Sequence, residues 1–440
     1  MTQSTHPLIE QWSDEFRTRQ FTPASEWLQE LQENAAGAFA SAGFPGRKTE
    51  AWKYTPLRVL ESRAPAVIRA LRNDVSRDAF PESLSGPGSF HVDFLDGCLH
   101  GELPAAPDGV TVLPLIEGLD VYEQELRKLI TDIDTTGTSR LFAALNTAFL
   151  QQGLVIHVGK HMKAGTLHLR WAFSKEGAAG LGNTRVVVLL EEGAQLDIVE
   201  QFESVAESFG SLNIIMQADL GPDSSLVQTR IIRESDDAVL LTSTQAEQSA
   251  GSSYQYNGFD LGGGLVRHEL HSRLAGEGAE CGFDGAFVLD RKRHVDNHIS
   301  VDHAAPGCRS SQFFRGVLGD RSRGVFNGKA LIRAGSDDSV VHQSNANLLL
   351  SRLAEIDTKP ELEIYADEVE ASHGATVGQL DEDAVFYMRT RGLSDARARR
   401  LLTTAFCRAV TDRLADRELA EKLAGLVDEA MPESMPFGEE

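Results

Sequence analysis

Histidine and cysteine are the side chains here best suited to hold a borderline metal, and their spacing decides whether they can do so. His373 stands in the middle of a compact polar stretch, Ser372-His373-Gly374-Ala375-Thr376, read as a turn following the acid-rich, strand-like Lys359–Asp367. An imidazole fixed on rigid backbone beside glycine can face a metal or a partner protein, and its ordinary pKa of about 6.5 keeps both protonation states within reach. A buried, hydrogen-bonded structural histidine is the competing reading, which the residue alone leaves open. A second concentration lies in Arg293–His303. In a strand, His294 and His298 share one face and His303 lies on the other. Those residues suit either metal ligation or an ordinary polar ladder, and Cys308 follows closely enough to join His303.

The four cysteines, Cys98, Cys281, Cys308 and Cys407, form no CxxC or other close pair. Neither a disulfide framework nor a self-contained zinc or iron–sulfur site is expected from that spacing. Gly262-Gly263-Gly264 lacks the spacing and the following Lys-Ser/Thr of a phosphate-cradling loop, so a turn is expected there. No metalloprotease helix or nucleophile-elbow pattern occurs. Asp284, Asp290, Asp296 and Asp302 are the carboxylates that would serve a polysaccharide-acting enzyme, if the fold made them converge.

The elements that must position these groups fall into three parts. Residues 1–150 read as mainly helical, with Trp27, Leu28, Leu31, Ala35 and Phe39 on one helix face and a charged, aromatic cluster at Arg47–Thr55. That cluster reads as a packed helix start with lysines reaching to solvent. Residues 151–380 change texture. Short β-rich phrases such as Leu154–Val158, Gln195–Phe202 and Leu226–Ile232 are separated by small turn residues, and several turns recur about 25–30 residues apart. No helices of crossover length intervene, which argues against a doubly wound sheet and favours a β-helix, with a β-sandwich as runner-up. Residues 381–440 return to helix, with Leu402, Ala405, Phe406, Ala409, Val410 and Leu414 on one face and Leu419, Leu423, Leu426 and Val427 on another. Two such short helices must dock on the solenoid end, on a partner, or on both.

The balance of 42 Lys+Arg against 65 Asp+Glu gives a net charge of -23, which disfavours nucleic acid and anionic membrane as partners. Asp428, Glu429, Glu433, Glu439 and Glu440 read as a solvated acidic tail. No apolar run approaches the ~20 residues of a membrane span, and Met1–Phe16 lacks the pattern of a signal peptide. A cytoplasmic protein with reduced thiols is expected.

Several stretches together are similar to a known family. Asp302-His303-Ala304-Ala305-Pro306, Gln312–Leu318, Gly324–Lys329, Asn345–Ser351, Thr358–Asp367, Ser372–Thr376, Phe386–Gly392 and the early Glu50-Ala51-Trp52-Lys53-Tyr54 resemble the SufBD family of the SUF iron–sulfur cluster assembly system. The resemblance spans most of the chain and is strongest after about residue 300. It implies a right-handed parallel β-helix core flanked by N- and C-terminal helical domains, and a scaffold rather than an enzyme. It implies pairing with a SufB-like paralogue, or with a second copy, and recruitment of a SufC-like ABC ATPase through the C-terminal helices. ATP would then be bound by that partner, and no cofactor would be held stably by this chain alone. It also implies that His373 contacts a transient, nascent Fe–S cluster at the interface, shared with a partner cysteine. Many similar sequences carry a cysteine two positions before this histidine; here the residue is Ala371, so thiolates must come from elsewhere. SufB itself, the nearest competing identity, would be expected to carry an essential cysteine set that is absent here. The alternative from a different class is a β-helical polysaccharide-acting enzyme.

Overall fold

The computed structural model describes residues 6–19, 25–68, 80–84, 86, 88–131, 140–175, 180–204 and 209–432. Of the acidic tail, Glu433, Glu439 and Glu440 lie outside the described residues. The N-terminal part contains α1 (Pro7–Arg17), α2 (Glu26–Ala42), a 3-10 turn at Glu50–Trp52, α3 (Arg58–Arg63), β1 (Ala66–Ile68), β2 (Phe90–Leu95), β3 (Cys98–His100), β4 (Val110–Pro114), α4 (Leu115–Val121), α5 (Glu123–Thr131) and α6 (Arg140–Ala148).

From β5 (Gln152–Val158) and β6 (Lys163–Ala172) the chain winds alternately through two sheets. Sheet A continues with β7 (Gly180–Leu190), β9 (Ser211–Leu220), β11 (Val239–Gln248), β13 (Leu265–Leu274), β15 (His294–His303), β17 (Arg323–Ile332) and β19 (Glu355–Ile364). Sheet B continues with β8 (Gln195–Phe202), β10 (Ser225–Ile232), β12 (Ser253–Asp260), β14 (Glu280–Leu289), β16 (Arg309–Leu318), β18 (Ser339–Leu349) and β20 (Val369–Gly378). Neighbours from β5 onward are parallel in both sheets, so this is the β-helix expected, and the sandwich reading falls away.

In-register stacking explains the core. One inward row of sheet A runs Leu190, Leu220, Gln248, Leu274, His303, Ile332 and Ile364 on successive coils. Fully burying each aliphatic member of such a row contributes about 1.5–3 kcal/mol. Polar members are accommodated by matched partners. Gln248 accepts from Ser272 Oγ at 2.6 Å, and His303 pairs with Ser310 Oγ at 2.8 Å and Ser339 Oγ at 3.3 Å. Successive corners from sheet A to sheet B use a left-handed residue, among them Gly193 (φ 66), Asp223 (φ 55), Gly251 (φ 65), Gly278 (φ 67) and Gly307 (φ 68). This conformation is why small turn residues recur with the coil period.

The N-terminal part closes one end of the solenoid and clasps the outer face of sheet A. β4 pairs antiparallel with β5, while β2 pairs with β6 and carries the antiparallel β3. Trp52 is buried, and its ring lies 4.0 Å from the Arg267 guanidinium carbon. Glu50 and Lys53 point to solvent. Arg185 of β7, fully buried, donates to Asn146 Oδ1 and Thr147 Oγ1 of α6 and to Gln217 Oε1 of β9 at 2.8–3.0 Å.

Two expectations need correction. Ser372–Thr376 is not a turn but the interior of β20, because its main chain pairs in register with His342–Ala346 of β18. Of the C-terminal helices, α7 (Glu382–Thr390), α8 (Asp395–Thr411) and α9 (Arg417–Ala430), the last two do not dock on the solenoid end. Val410, Leu414, Leu423 and Val427 pack against Val199, Ile231, Phe259 and Val317 on the outer face of sheet B. Those outward positions are apolar, so the sheet's flank, not its end, is the surface that needs a cover.

Candidate functional site

The solenoid ends on β19 and β20, the last strands of their sheets, with no further coil described beyond them. Most of β19 and β20 is exposed or half-buried, whereas every earlier coil is largely buried. Parallel strands at this edge present main-chain N–H and C=O groups along one side. Ile364, Tyr365 and Val377 are large apolar side chains exposed on the same two strands or just beyond them.

His373 sits in the middle of this end. Its register partner is Gln343, a buried interior residue, so His373 belongs to the inward row of β20 with Ala371, Ala375 and Val377. With no next coil described above it, the imidazole is exposed and has no hydrogen-bond partner among the described residues. Ala371 packs against the apolar cluster of Ala330, Ile332 and Val341. Behind His373 the interior turns amide-rich. Gln343 donates to the Gly328 carbonyl at 3.3 Å, and Asn345 Oδ1 accepts from Thr358 Oγ1 at 2.9 Å and Asn347 Nδ2 at 2.6 Å. Gln343 Oε1, Asn345 Nδ2 and Asn347 Oδ1 are left without partners. Buried amide atoms are normally satisfied, so this end of the interior has unused hydrogen-bonding capacity.

A second histidine, His342, lies on the outward side of β18, bonding Ser372 Oγ through Nδ1 at 2.8 Å. Sequence reasoning missed it; the signal was the coil period, which places His342 one strand beneath Ser372.

The other candidates separate. His294 pairs with Thr55 Oγ1 at 3.0 Å and His298 with Asp296 Oδ1 at 2.9 Å on the outer face of sheet A. His303 is inside, as alternation requires. Burial lowers the pKa values of His294 and His303, each to about 4, so both are neutral at pH 7. Cys308 does not join His303; its thiol donates to the Gly276 carbonyl at 3.4 Å. All four cysteines are buried, and burial pushes Cys98 and Cys407 up to about 12, which keeps them as thiols. Among the described residues no group of three or more His, Cys, Asp or Glu side chains is placed to hold a metal.

The four aspartates disperse as well. Asp284 meets Arg413 of the C-terminal part at 2.7 Å, Asp290 meets Arg293 at 2.9 Å, Asp302 meets Arg333 at 2.7 Å, and Asp296 is buried against Arg267. Each carboxylate is tied to a different arginine, so no acid–base pair forms and the polysaccharide reading loses its chemistry. Gly262–Gly264 forms a corner, with Gly263 N–H bonded to the Glu234 carbonyl at 2.7 Å.

The sequence profile described as SUF system FeS cluster assembly, SufBD core domain, matches residues 173–406, more than half of the chain. The chain belongs to the SufBD family. Among its SufBD relatives, the iron–sulfur cluster assembly protein SufD of Escherichia coli (strain K12) is 27% identical over 440 residues, spanning 96% of this chain and 97% of that one. An iron–sulfur cluster assembly SufBD family protein of Synechocystis is 27% identical over 409 residues, 90% of this chain and 89% of its own. The chloroplastic protein ABCI7 of Arabidopsis thaliana is 26% identical over 421 residues, covering 90% and 84%. This SufBD chain is thus an iron–sulfur cluster assembly protein of the SufD-like kind, and no helix among its described residues is long and apolar enough to cross a membrane.

Proposed function

We propose that this chain is a non-catalytic scaffold subunit of an ATP-driven Fe–S assembly complex. It pairs with a SufB-type paralogue through the open end of its solenoid, and His373 contacts the nascent cluster there. The observation that carries this reading is the position of His373: an exposed imidazole, unpartnered among the described residues, in the inward row of β20, the last parallel strand of sheet B. A partner strand added to β20 would continue the ladder and cover Val377 and the unsatisfied amides. Every cysteine of this chain is buried away from that end, so the thiolates for a shared cluster come from the partner. The cluster is cargo, assembled and passed on.

The C-terminal helices are the surface for a SufC-type ATPase. Phe386 and Tyr387 of α7 are 65% and 56% exposed, and Leu401 of α8 is 48% exposed, although Cys407 and Val410 of α8, and Leu414 just past its end, are buried on sheet B. Exposed aromatic side chains of this size mark protein contacts. ATP is bound by that partner, in keeping with a glycine run at Gly262–Gly264 that serves only as a corner.

The test is co-expression of wild-type and His373→Ala chains with a SufB-type subunit and a SufC-type ATPase, followed by anaerobic cluster reconstitution read by visible absorption. Complex formation should be retained, because the His373 side chain is exposed and makes no hydrogen bond among the described residues, and cluster yield should fall. A normal cluster in the variant complex would defeat the assignment of His373, and failure of the wild-type subunits to associate would defeat the scaffold reading.

A further inference from the structure

Two adjacent corners leading from sheet B to sheet A concentrate positive charge on an otherwise acidic molecule. Asp290-Arg291-Lys292-Arg293 and Asp320-Arg321 occupy corresponding corners of adjacent coils. Backbone bonds from Arg321 N–H to the Arg291 carbonyl and from Arg323 N–H to the Arg293 carbonyl place Lys292 beside Arg321. Coils in a sheet are about 4.8 Å apart, so two like charges are stacked. Asp236 neutralises Arg291 at 2.6 Å and Arg293 at 2.7 Å, and Asp290 meets Arg293 at 2.9 Å. Asp320 Oδ2 accepts the backbone N–H of Arg291 at 2.9 Å. Among the described residues, Lys292 and Arg321 have no carboxylate partner.

Both open onto a groove of about 560 Å³ that also reaches the exposed Leu353. A second cavity of about 500 Å³ shares Arg291, Arg293 and Asp320 with it and runs back to Arg233 and Glu234, walled by Leu426 and Met431 at the end of α9. Glu234 is 3% exposed. Its Oε1 accepts from Ser204 Oγ at 3.0 Å, while Oε2 has no partner. Burial, above all, pushes this carboxyl up to about 8, so at neutral pH it carries a proton and offers a donor with no acceptor among the described residues.

We propose that this corner groove docks an extended acidic peptide segment of a partner protein, its carboxylates on Lys292 and Arg321 and a main-chain carbonyl on Glu234. Length decides against a compact anion. Glu234 and Arg321 lie on corners three coils apart, about 14 Å at about 4.8 Å per coil, which takes four or five extended residues at about 3.3 Å each. The apolar walls at Leu353, Leu426 and Met431 suit aliphatic side chains between the acidic ones, and a phosphate has no use for them.

The experiment titrates the full chain with a fluorescein-labelled hexapeptide of alternating Glu and Leu, against a Lys–Leu control and diphosphate as competitor, by anisotropy at low salt. The Glu–Leu peptide should bind and the Lys–Leu peptide should not, with affinity falling as salt rises. Lys292→Ala/Arg321→Ala, at exposed positions that leave the fold intact by circular dichroism, should weaken binding about fivefold to tenfold. Glu234→Gln, which keeps a donor, should bind like wild type, and Glu234→Ala should weaken binding. Equal binding of both peptides, an unchanged affinity in the double variant, or displacement by diphosphate at lower concentration than by unlabelled peptide would overturn the proposal.

Discussion

Asp296 is where the N-terminal segment grips the solenoid, and its removal should be costly in a calculable way. The side chain is 1% exposed and accepts hydrogen bonds from Thr55 Oγ1 and Arg267 Nη1, and His298 Nε2 lies 2.9 Å from its other oxygen. Burial alone would raise its carboxyl pKa, but Arg267, and then His298, outweigh that and hold it well below the usual carboxylate range. Asp296→Ala leaves the Arg267 guanidinium, itself 2% exposed, with Glu269 at 2.8 Å as its remaining acid. Removing one partner of a buried pair costs about 3–5 kcal/mol, and Glu269 keeps the effect near the lower figure, about 3. Loss of the Thr55 bond adds about 1 kcal/mol, for a total of about 4. Urea denaturation at pH 7 of Asp296→Ala, Arg267→Met and the double variant measures it, with limited proteolysis around residues 47–58 as a local readout. The double variant should lose at least about 2 kcal/mol less than the sum of the singles, because no stranded charge remains. A single-variant cost under about 1 kcal/mol, or strict additivity, would refute the clamp.

Acid should act through the buried histidines. His168 is lowered to about 3, and His294 and His303 each to about 4, by burial first of all. The unfolded chain therefore binds more histidine protons between about pH 6.5 and 4, and stability should fall as the pH drops through that window. Above it Glu234, raised to about 8, binds its proton better in the folded chain, so stability should also decline toward pH 8. The gap from 6.5 to about 4 corresponds to about 3 kcal/mol for each of His294 and His303. Urea midpoints across pH 4–8 check this, and His303→Leu, which extends a row of leucines, should flatten the slope; an unchanged slope would count against it. Phe386→Ala/Tyr387→Ala should leave the melting temperature within about 2 °C of wild type, since both side chains are exposed, yet reduce pull-down of a SufC-type ATPase at least about tenfold. Undiminished capture would remove α7 from the docking surface.

The β-helix was legible because its rule is local: alternation along each phrase, and a small residue at each corner where Gly193, Gly251 or Gly307 takes a positive φ. The faces of His294, His298 and His303 followed from the same alternation. What stayed hidden depended on register between coils. Ser372–Thr376 looks like a turn by composition, with Ser, Gly and Thr in a row, yet pairing with β18 makes it a strand. Contacts separated by a hundred residues or more, such as Asp284 with Arg413 or Thr55 with Asp296, leave no local trace. The docking of α8 and α9 on a flank was unreadable because nothing in those helices says which face of the solenoid is apolar. Glu234, one acid among many in sequence, becomes unusual only when the fold buries it.

The two ends of the solenoid are unlike. One finishes in the antiparallel strands β3 and β4, the other in parallel strands whose edge faces outward. A rod whose ends matched would invite stacking head on tail, copy after copy, into a fibre. With only one end offering a parallel edge among the described residues, association through that edge would consume it and would stop growth along the rod at two such chains.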